Sequence, residues 1–205
     1  MKTILMTLAT ILVVVTMAGC QPAPAPTVAP AADADTRGYV HDTSVAQWVA
    51  PWTISNSTGT WSAALNGNVV TFNRTAADAT WNAFVPVPVP SNAAASKGAY
   101  LQSVDIWYSV TVSDCDDFAT VALEKLTVGA TAITPTATAP TITLDAGHDT
   151  AGERKPVGEH KMTITLSTPA WVDHEESYVV YLAVDAASGT VFKWYGARAN
   201  YTLRL

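Results

Sequence analysis

The chain has 205 residues, carries a formal net charge of −6 and draws only 14% of its residues from Asp, Glu, Lys and Arg. This acidic balance argues against nucleic acid as a partner, because phosphates select clustered Lys and Arg. It also argues against a basic surface that seeks anionic lipid. The length fits one domain with a substantial hydrophobic core.

Residues 1–19 have the pattern of a secretory signal peptide. Lys2 precedes an apolar run that is shorter than the roughly 20 residues a membrane-spanning helix needs. The stretch Met17-Ala18-Gly19-Cys20 then resembles the lipobox of bacterial lipoproteins, although leucine is commoner at the position of Met17. The resemblance implies cleavage before Cys20 and attachment of lipid to its sulfur. The alternatives are an ordinary signal peptide with a chance cysteine, or an uncleaved membrane anchor.

Residues 20–36 form a linker in which proline and alanine dominate. Alternating Pro and Ala favours extended polyproline II over a packed element. We therefore expect a disordered linker or a spacer that lifts the domain up to about 45 Å from the lipid. Gln21 is not the aspartate that the enterobacterial sorting rule associates with the inner membrane. We expect a lipid-anchored protein on the extracytoplasmic side of the cell envelope, on the outer membrane if the host has two membranes.

Residues 37–205 show the two-residue periodicity of β-strands rather than helical spacing. Strands are predicted at 46–54, 59–64, 68–74, 81–90, 103–112, 119–128, 161–166, 177–184, 189–195 and 197–205. Pro86, Pro88 and Pro90 place their run at a sheet edge, since proline cannot donate to a ladder. The 177–184 run is apolar on both faces, which predicts a central strand. One or two short strands are expected in 131–144, interrupted by prolines.

The segments 103–112 and 119–128 are predicted to pair as a hairpin, joined by an acidic turn around Cys115. If lipid occupies Cys20, Cys115 has no disulfide partner within the chain. It is then buried, exposed and reactive, or paired with another molecule. The aspartates of the turn could present oxygens to Ca²⁺, or could simply form a solvated turn.

Short strands at roughly ten-residue intervals predict a single all-β domain, an antiparallel β-sandwich of jelly-roll or immunoglobulin-like type. The cadence of FVPVPVP, GAYLQSVDIWYSV, SYVVYLAV and YGARANYTL resembles uncharacterised exported β-sandwich modules of bacteria. That resemblance names no domain family. It implies a fold without a chemistry.

Residues 145–161 are the most charged stretch of the domain and contain His148 and His160. The loop connects two predicted strands, so its ends must lie near a sheet and could bring the two histidines together. With Asp149 and Glu153 they could form a mixed nitrogen and oxygen metal site. The alternatives are a loop that faces a ligand or partner, or a solvated connection in which Arg154 and its basic neighbours neutralise the acids.

The seven tryptophans of the chain raise the question of an exposed aromatic surface. Aromatic faces on a sandwich could stack on sugars, since they combine area with a polar handle. Trp107 lies opposite the apolar face of its predicted strand, and Trp194 could share a face with Phe192. Each of these two tryptophans either covers a second layer or is exposed.

Familiar catalytic and metal-binding motifs are missing from the sequence, including G-x-S-x-G, S-x-x-K, H-E-x-x-H and the phosphate-binding glycine loop. We therefore expect a non-enzymatic protein without a cofactor or resident metal. The leading hypothesis is a lipoprotein whose sandwich binds an envelope partner or serves as a structural module of the cell surface. The alternative is a carbohydrate-interacting domain, acting as a binding module or as a hydrolase. Trp107, Trp194, His148 and His160 are the candidate ligand-binding residues.

Overall fold

The computed structural model describes residues 43–90, 99–129 and 135–203. The predictions of a signal peptide, a lipidated Cys20 and a Pro/Ala-rich linker lie outside these residues. Within them, no helix has both the length and the apolar character needed to cross a bilayer.

Two antiparallel sheets make up the domain, which confirms the predicted sandwich. The seven-stranded sheet runs in spatial order through β3 (Trp61–Asn66), β4 (Val69–Arg74), β12 (Val191–Leu203), β6 (Ala99–Thr111), β10 (Gly158–Trp171) and β9 (Ile142–Leu144), and β1 (Thr43–Val49) also pairs with β12. The five-stranded sheet runs through β2 (Ser55–Asn56), β5 (Ala79–Val87), β11 (Glu176–Ala186), β7 (Cys115–Thr127) and β8 (Thr136–Thr138). A 3₁₀ turn at Pro51–Thr53 and a helix at Ala151–Arg154 complete the described elements.

Alternating side chains of both sheets meet in one hydrophobic core. Tyr108 of β6 packs on Phe118 of β7 with ring centroids 5.5 Å apart, and Trp81 of β5 packs on Phe192 of β12 at 5.3 Å. These contacts join the sheets through large aromatic side chains that are almost fully buried. The core therefore fixes which face of each strand points outward.

Strand β11 occupies the centre of the five-stranded sheet, between β5 and β7, as its apolar character on both faces predicts. The proline-rich strand also agrees with its prediction. In the described residues, β2 covers β5 only at Ala83 and Phe84, so the end that carries Pro86 has no strand on that side. The 131–144 segment supplies two short strands, β8 and β9, one in each sheet.

The predicted hairpin between 103–112 and 119–128 is wrong, because β6 and β7 belong to different sheets. Val112 adopts a φ of 77° just after β6, and the chain then crosses to the other sheet. Two-residue periodicity indicates strands but does not say which strand each one pairs with. Cys115 starts β7 and is buried, and burial raises the pKa of its thiol to about 12. The structure thus favours the buried alternative for this cysteine.

Candidate functional site

In the seven-stranded sheet, the strand that pairs with one edge of β12 changes from β4 to β1 part of the way along β12. On the same edge, β12 pairs with β4 at Lys193 and Trp194 and with β1 from Ala197 onward. The register against β6 shifts between Trp194 and Gly196, which marks a β-bulge. The two predicted segments 189–195 and 197–205 are therefore one strand, bent where its neighbour changes.

Gly196 leaves the space into which Trp48 of β1 folds. The glycine has a φ of 127°, and a Cβ placed on it would come within 2.6 Å of both Trp48 Cζ2 and the Val49 carbonyl oxygen. Only a residue without a side chain fits this close approach. The missing side chain thus lets the Trp48 indole lie over the strand.

Trp48 and Trp107 form a tilted pair on this outer face. Their ring centroids are 5.1 Å apart with an angle of 42° between the planes. Trp48 is 53% exposed, whereas Trp107 is only partly exposed. Trp107 therefore acts mainly as the support, and Trp48 offers the open aromatic face.

Two cations flank Trp107. Lys161 Nζ lies 5.6 Å from the ring centroid and the Arg198 guanidinium carbon lies 5.4 Å from it, both within cation–π range. They come from β10 and β12, the strands on either side of β6. The aromatic pair is thus fixed to three strands of the sheet and not to a loop.

Asp105 is the counter-charge beneath these cations. Its carboxylate accepts hydrogen bonds from Arg198 Nη2 at 2.6 Å, Thr163 Oγ1 at 2.7 Å and Asn200 Nδ2 at 3.0 Å, and Lys161 Nζ lies 3.6 Å away. Burial alone would raise the pKa of this carboxyl. The hydrogen bonds from Asn200, Thr163 and Arg198 and the charge of Lys161 outweigh it and hold the pKa below its ordinary value. The carboxylate is therefore ionised and fully engaged.

A cleft of about 380 Å³ opens beside the pair. It is lined by Trp48, Val69, Trp107, Tyr108, Glu159, His160 and Tyr195. The Tyr195 hydroxyl donates to Glu159 Oε1 at 3.3 Å across the cleft wall. The site combines aromatic surface with a few convergent polar groups, which is the composition expected of a small-molecule or sugar site.

His148 and His160 do meet at the base of the 145–161 loop, with His148 Nε2 3.3 Å from His160 Nδ1. His160 Nε2 donates to the Pro156 carbonyl at 3.0 Å, so a neutral His160 has Nδ1 free to accept from His148. His148 Nδ1 in turn donates to Asp145 Oδ2 at 2.7 Å. The histidines thus form a hydrogen-bonded chain from a carboxylate to a backbone carbonyl.

This chain connects the cleft to the core, because His160 lines the cleft and also contacts the fully buried Tyr108. The His160 ring stacks on Tyr108 with centroids 4.7 Å apart and planes 8° apart. Burial lowers the pKa of His160, the hydrogen bond to Pro156 opposes that shift, and the charge of His148 adds to it. Among the described residues no group of three or more His, Cys, Asp or Glu side chains could hold a metal, so Asp149 and Glu153 do not complete the site considered from the sequence.

Arg154 anchors the loop in a way that charge counting does not anticipate. It is 4% exposed, and its guanidinium donates to the carbonyls of Phe118 at 2.9 Å, His148 at 2.7 Å and Ala119 at 3.0 Å. Its own carbonyl accepts from the Tyr108 hydroxyl at 2.8 Å. Arg154 therefore ties the loop to β7 through backbone oxygens instead of neutralising neighbouring acids.

Trp194 does not belong to the surface site. It is fully buried, and its Nε1 donates to Asn56 Oδ1 at 3.2 Å within the aromatic core. Its ring is therefore closed to a ligand, and the prediction of Trp194 as a candidate ligand-binding residue is wrong, since the side chain packs in the core. Strand alternation explains the difference from Trp107, because Trp194 pairs with the inward-facing Tyr108, the chain neighbour of the outward-facing Trp107.

Sequence reasoning missed Trp48 as a site residue. Trp48 pairs with Arg198 of β12, and Arg198 pairs with Asp105 of β6. These partners are far apart in the sequence and meet only in the folded sheet. A weak signal was present, since Trp48 precedes the buried Val49 in a predicted strand and so points to the opposite face.

A second aromatic pair lies on the outer face of the five-stranded sheet. Phe84 and Tyr181 have ring centroids 5.5 Å apart and planes 44° apart, and Phe84 is 39% exposed. The depression beside them, about 410 Å³, is lined by Phe84, Glu124, Leu126, Ala137, Val179 and Tyr181. Its walls are aliphatic and aromatic apart from Glu124, whereas two cations flank Trp107.

No protein-family model matches the sequence, and no curated protein matches it. Three solved structures are similar to the chain at TM-scores below 0.5. TmCBM61 in complex with β-1,4-galactotriose shares 11% identity over 79% of this chain and 88% of its own, with a TM-score of 0.32. The family 11 carbohydrate-binding module from Clostridium thermocellum, in complex with a β-1,3-1,4-mixed-linked tetrasaccharide, shares 9% over 80% and 91%, with a TM-score of 0.34. A carbohydrate esterase from the Shiga toxin-encoding bacteriophage phi24B shares 11% over 79% and 99%, with a TM-score of 0.34.

Proposed function

We propose that the sandwich is a non-enzymatic carbohydrate-binding module and that a lipidated Cys20 holds it on the outer side of a membrane. The observation that carries the binding function is the exposed Trp48 indole, fixed on Trp107 and over Gly196 at the mouth of the cleft. A rigid aromatic face can pack against the apolar face of a sugar ring at little entropic cost.

Polar groups at the cleft can orient the sugar hydroxyls. Glu159 accepts and the Tyr195 hydroxyl donates or accepts in the cleft, and Lys161 and Arg198 can donate from beside the Trp107 ring. A few such groups on an apolar surface give specificity without a large binding area. This arrangement fits a ligand with one apolar face and a rim of hydroxyls.

The carboxylates favour binding over hydrolysis. Glycoside cleavage generally uses two carboxyl groups about 5 to 10 Å apart, both open to the substrate. Glu159 is the carboxylate that lines this cleft among the described residues, and Asp105 is buried beneath Lys161 and Arg198. The proposed role is therefore recognition.

The test is a glycan array probed with the purified protein and two single variants. We expect Trp48→Ala to lower the affinity for the bound glycan by about tenfold or more, because the stacking surface is lost. Phe84→Ala is the matched control, since it removes an exposed ring from the other sheet. An array without hits, or equal losses in the two variants, contradicts the proposal.

Anchoring is tested by labelling cells with radioactive palmitate. Wild-type protein should take up label, and Cys20→Ala should not. Cys115→Ala is the control, because its buried thiol is not a lipidation site in the proposal. Label retained at the wild-type level in Cys20→Ala contradicts the lipid anchor.

A further inference from the structure

The charges of the outer face of the seven-stranded sheet differ from those of the whole protein. The chain has 17 acidic and 11 basic residues. On the outward positions of β6, β10 and β12, however, the described charged residues are Lys161, Lys193 and Arg198 against Asp105 and Glu159. The outer face that carries the cleft is thus locally positive in an acidic protein, although the charged residue of the cleft lining itself is Glu159.

The acid nearest to the aromatic pair does not neutralise this surface. The Asp105 side chain is 4% exposed, whereas the side chains of Lys161 and Arg198 are 50% and 40% exposed. One buried carboxylate therefore serves two exposed cations, which leaves a surplus positive charge facing solvent. Arg198 uses Nε and Nη2 on Asp105, and its Nη1 has no protein partner among the described residues.

This surplus lies beside the stacking surface. Both cations approach the Trp107 ring, and Trp107 contacts Trp48. An anionic group on a sugar held by Trp48 would meet a lysine that is half exposed and an arginine with a free donor. Hydrogen bonds between charged partners are stronger than neutral ones and add orientation.

Resting on the proposed function, we infer that this cleft selects glycans that carry uronic acids, and that Lys161 and Arg198 bind the sugar carboxylate. The two cations are specificity-determining residues, and Trp48 supplies the stacking surface common to acidic and neutral sugars. The carboxylate of the sugar would pair with the positive charge that Asp105 alone does not neutralise.

The test uses one glycan array that carries oligomers of galacturonate, glucuronate and mannuronate, each as the free acid and as its methyl ester. The ester keeps the backbone and removes the charge. We expect the preferred acid to bind about tenfold more tightly than its ester at low salt, with the difference shrinking as NaCl screens it. Lys161→Gln should lower the affinity for the acid more than that for the ester, whereas Trp48→Ala should lower both.

Lys155→Gln is the matched control, since it removes the same charge from a lysine of the 145–161 loop that contacts the Asp116 carbonyl. It should leave the acid-to-ester ratio unchanged. Equal binding of acids and esters, or of neutral glycans only, overturns this inference while the carbohydrate function stands. If no glycan binds at all, both the inference and the proposed function fail.

Discussion

The two outer faces of the sandwich carry aromatic pairs of nearly the same geometry in different chemical surroundings. Trp48 and Trp107 lie 5.1 Å apart at 42°, and Phe84 and Tyr181 lie 5.5 Å apart at 44°. The first pair is surrounded by cations, a carboxylate and a tyrosine hydroxyl, whereas the depression beside the second is lined by aliphatic side chains and one carboxylate, Glu124, with no cation among the lining residues described. Ring geometry alone therefore does not distinguish the two faces, and the proposed sugar site depends on the polar groups around the first pair.

The two pairs are also held differently. Trp48 depends on the bulge of β12 and on the missing side chain at Gly196. Tyr181 sits in a regular strand, and its hydroxyl donates to Asn82 Oδ1 at 3.0 Å. The seven-stranded face should therefore be more easily disrupted by a single backbone or charge change.

The largest effect is expected for Gly196→Ala. A Cβ at this position would meet Trp48 and the Val49 carbonyl at 2.6 Å, and its φ of 127° strains any other residue. We expect the free energy of unfolding to fall by about 3 kcal/mol. Urea denaturation followed by tryptophan fluorescence measures this, and glycan affinity should fall because Trp48 must move.

Gly67→Ala distinguishes the steric clash of a Cβ with Trp48 from the backbone strain of a positive φ. Gly67 has a φ of 63°, but a Cβ there would meet nothing within 4 Å. Left-handed strain alone should cost about 1 kcal/mol and leave glycan binding intact. Equal losses of stability in the two variants would show that the contact with Trp48 is unimportant.

Asp105→Asn should have an intermediate effect. The change leaves the cations without their counter-charge and weakens several hydrogen bonds, which should lower the free energy of unfolding by about 2 kcal/mol. Because the pKa of Asp105 is held down in the fold, its charge stabilises the folded state above the ordinary aspartate pKa of about 3.9. That contribution is lost as pH falls through the folded pKa, so the wild type should lose its advantage over Asp105→Asn in acid.

The control for Asp105 is Glu176→Gln in the five-stranded sheet, where Lys125 and Glu176 form an ion pair. The Glu176 side chain is 13% exposed against 4% for Asp105, and it has one cation partner instead of two, so its loss should cost less than about 1 kcal/mol. Urea titrations of both variants at neutral and acidic pH provide the comparison. A wild-type advantage over Asp105→Asn that persists unchanged into acid would contradict the assigned role of the carboxylate.

The sequence predicts the class of fold because two-residue periodicity records which side chains face the core. It also places β11 at the centre and Trp107 on the outer face. It does not predict the strand partners, so the hairpin of β6 and β7 was wrong. Trp48 shows the limit most clearly, since the pairing of β1 with β12 and the close approach at Gly196 place it beside Trp107.

The smallest effect is expected for Tyr181→Phe, which tests the other face. The change removes the hydrogen bond to Asn82 Oδ1 but keeps the ring against Phe84, so stability should fall by about 1 kcal/mol. Glycan affinity should stay within about twofold of wild type, because Glu124 is the one charged group that lines the depression beside this pair in the described residues. Titration calorimetry measures the glycan affinities of Tyr181→Phe and Trp48→Ala for comparison. A large loss of affinity in Tyr181→Phe would indicate that the sugar binds to the five-stranded sheet instead, because the variant removes only the Tyr181 hydroxyl.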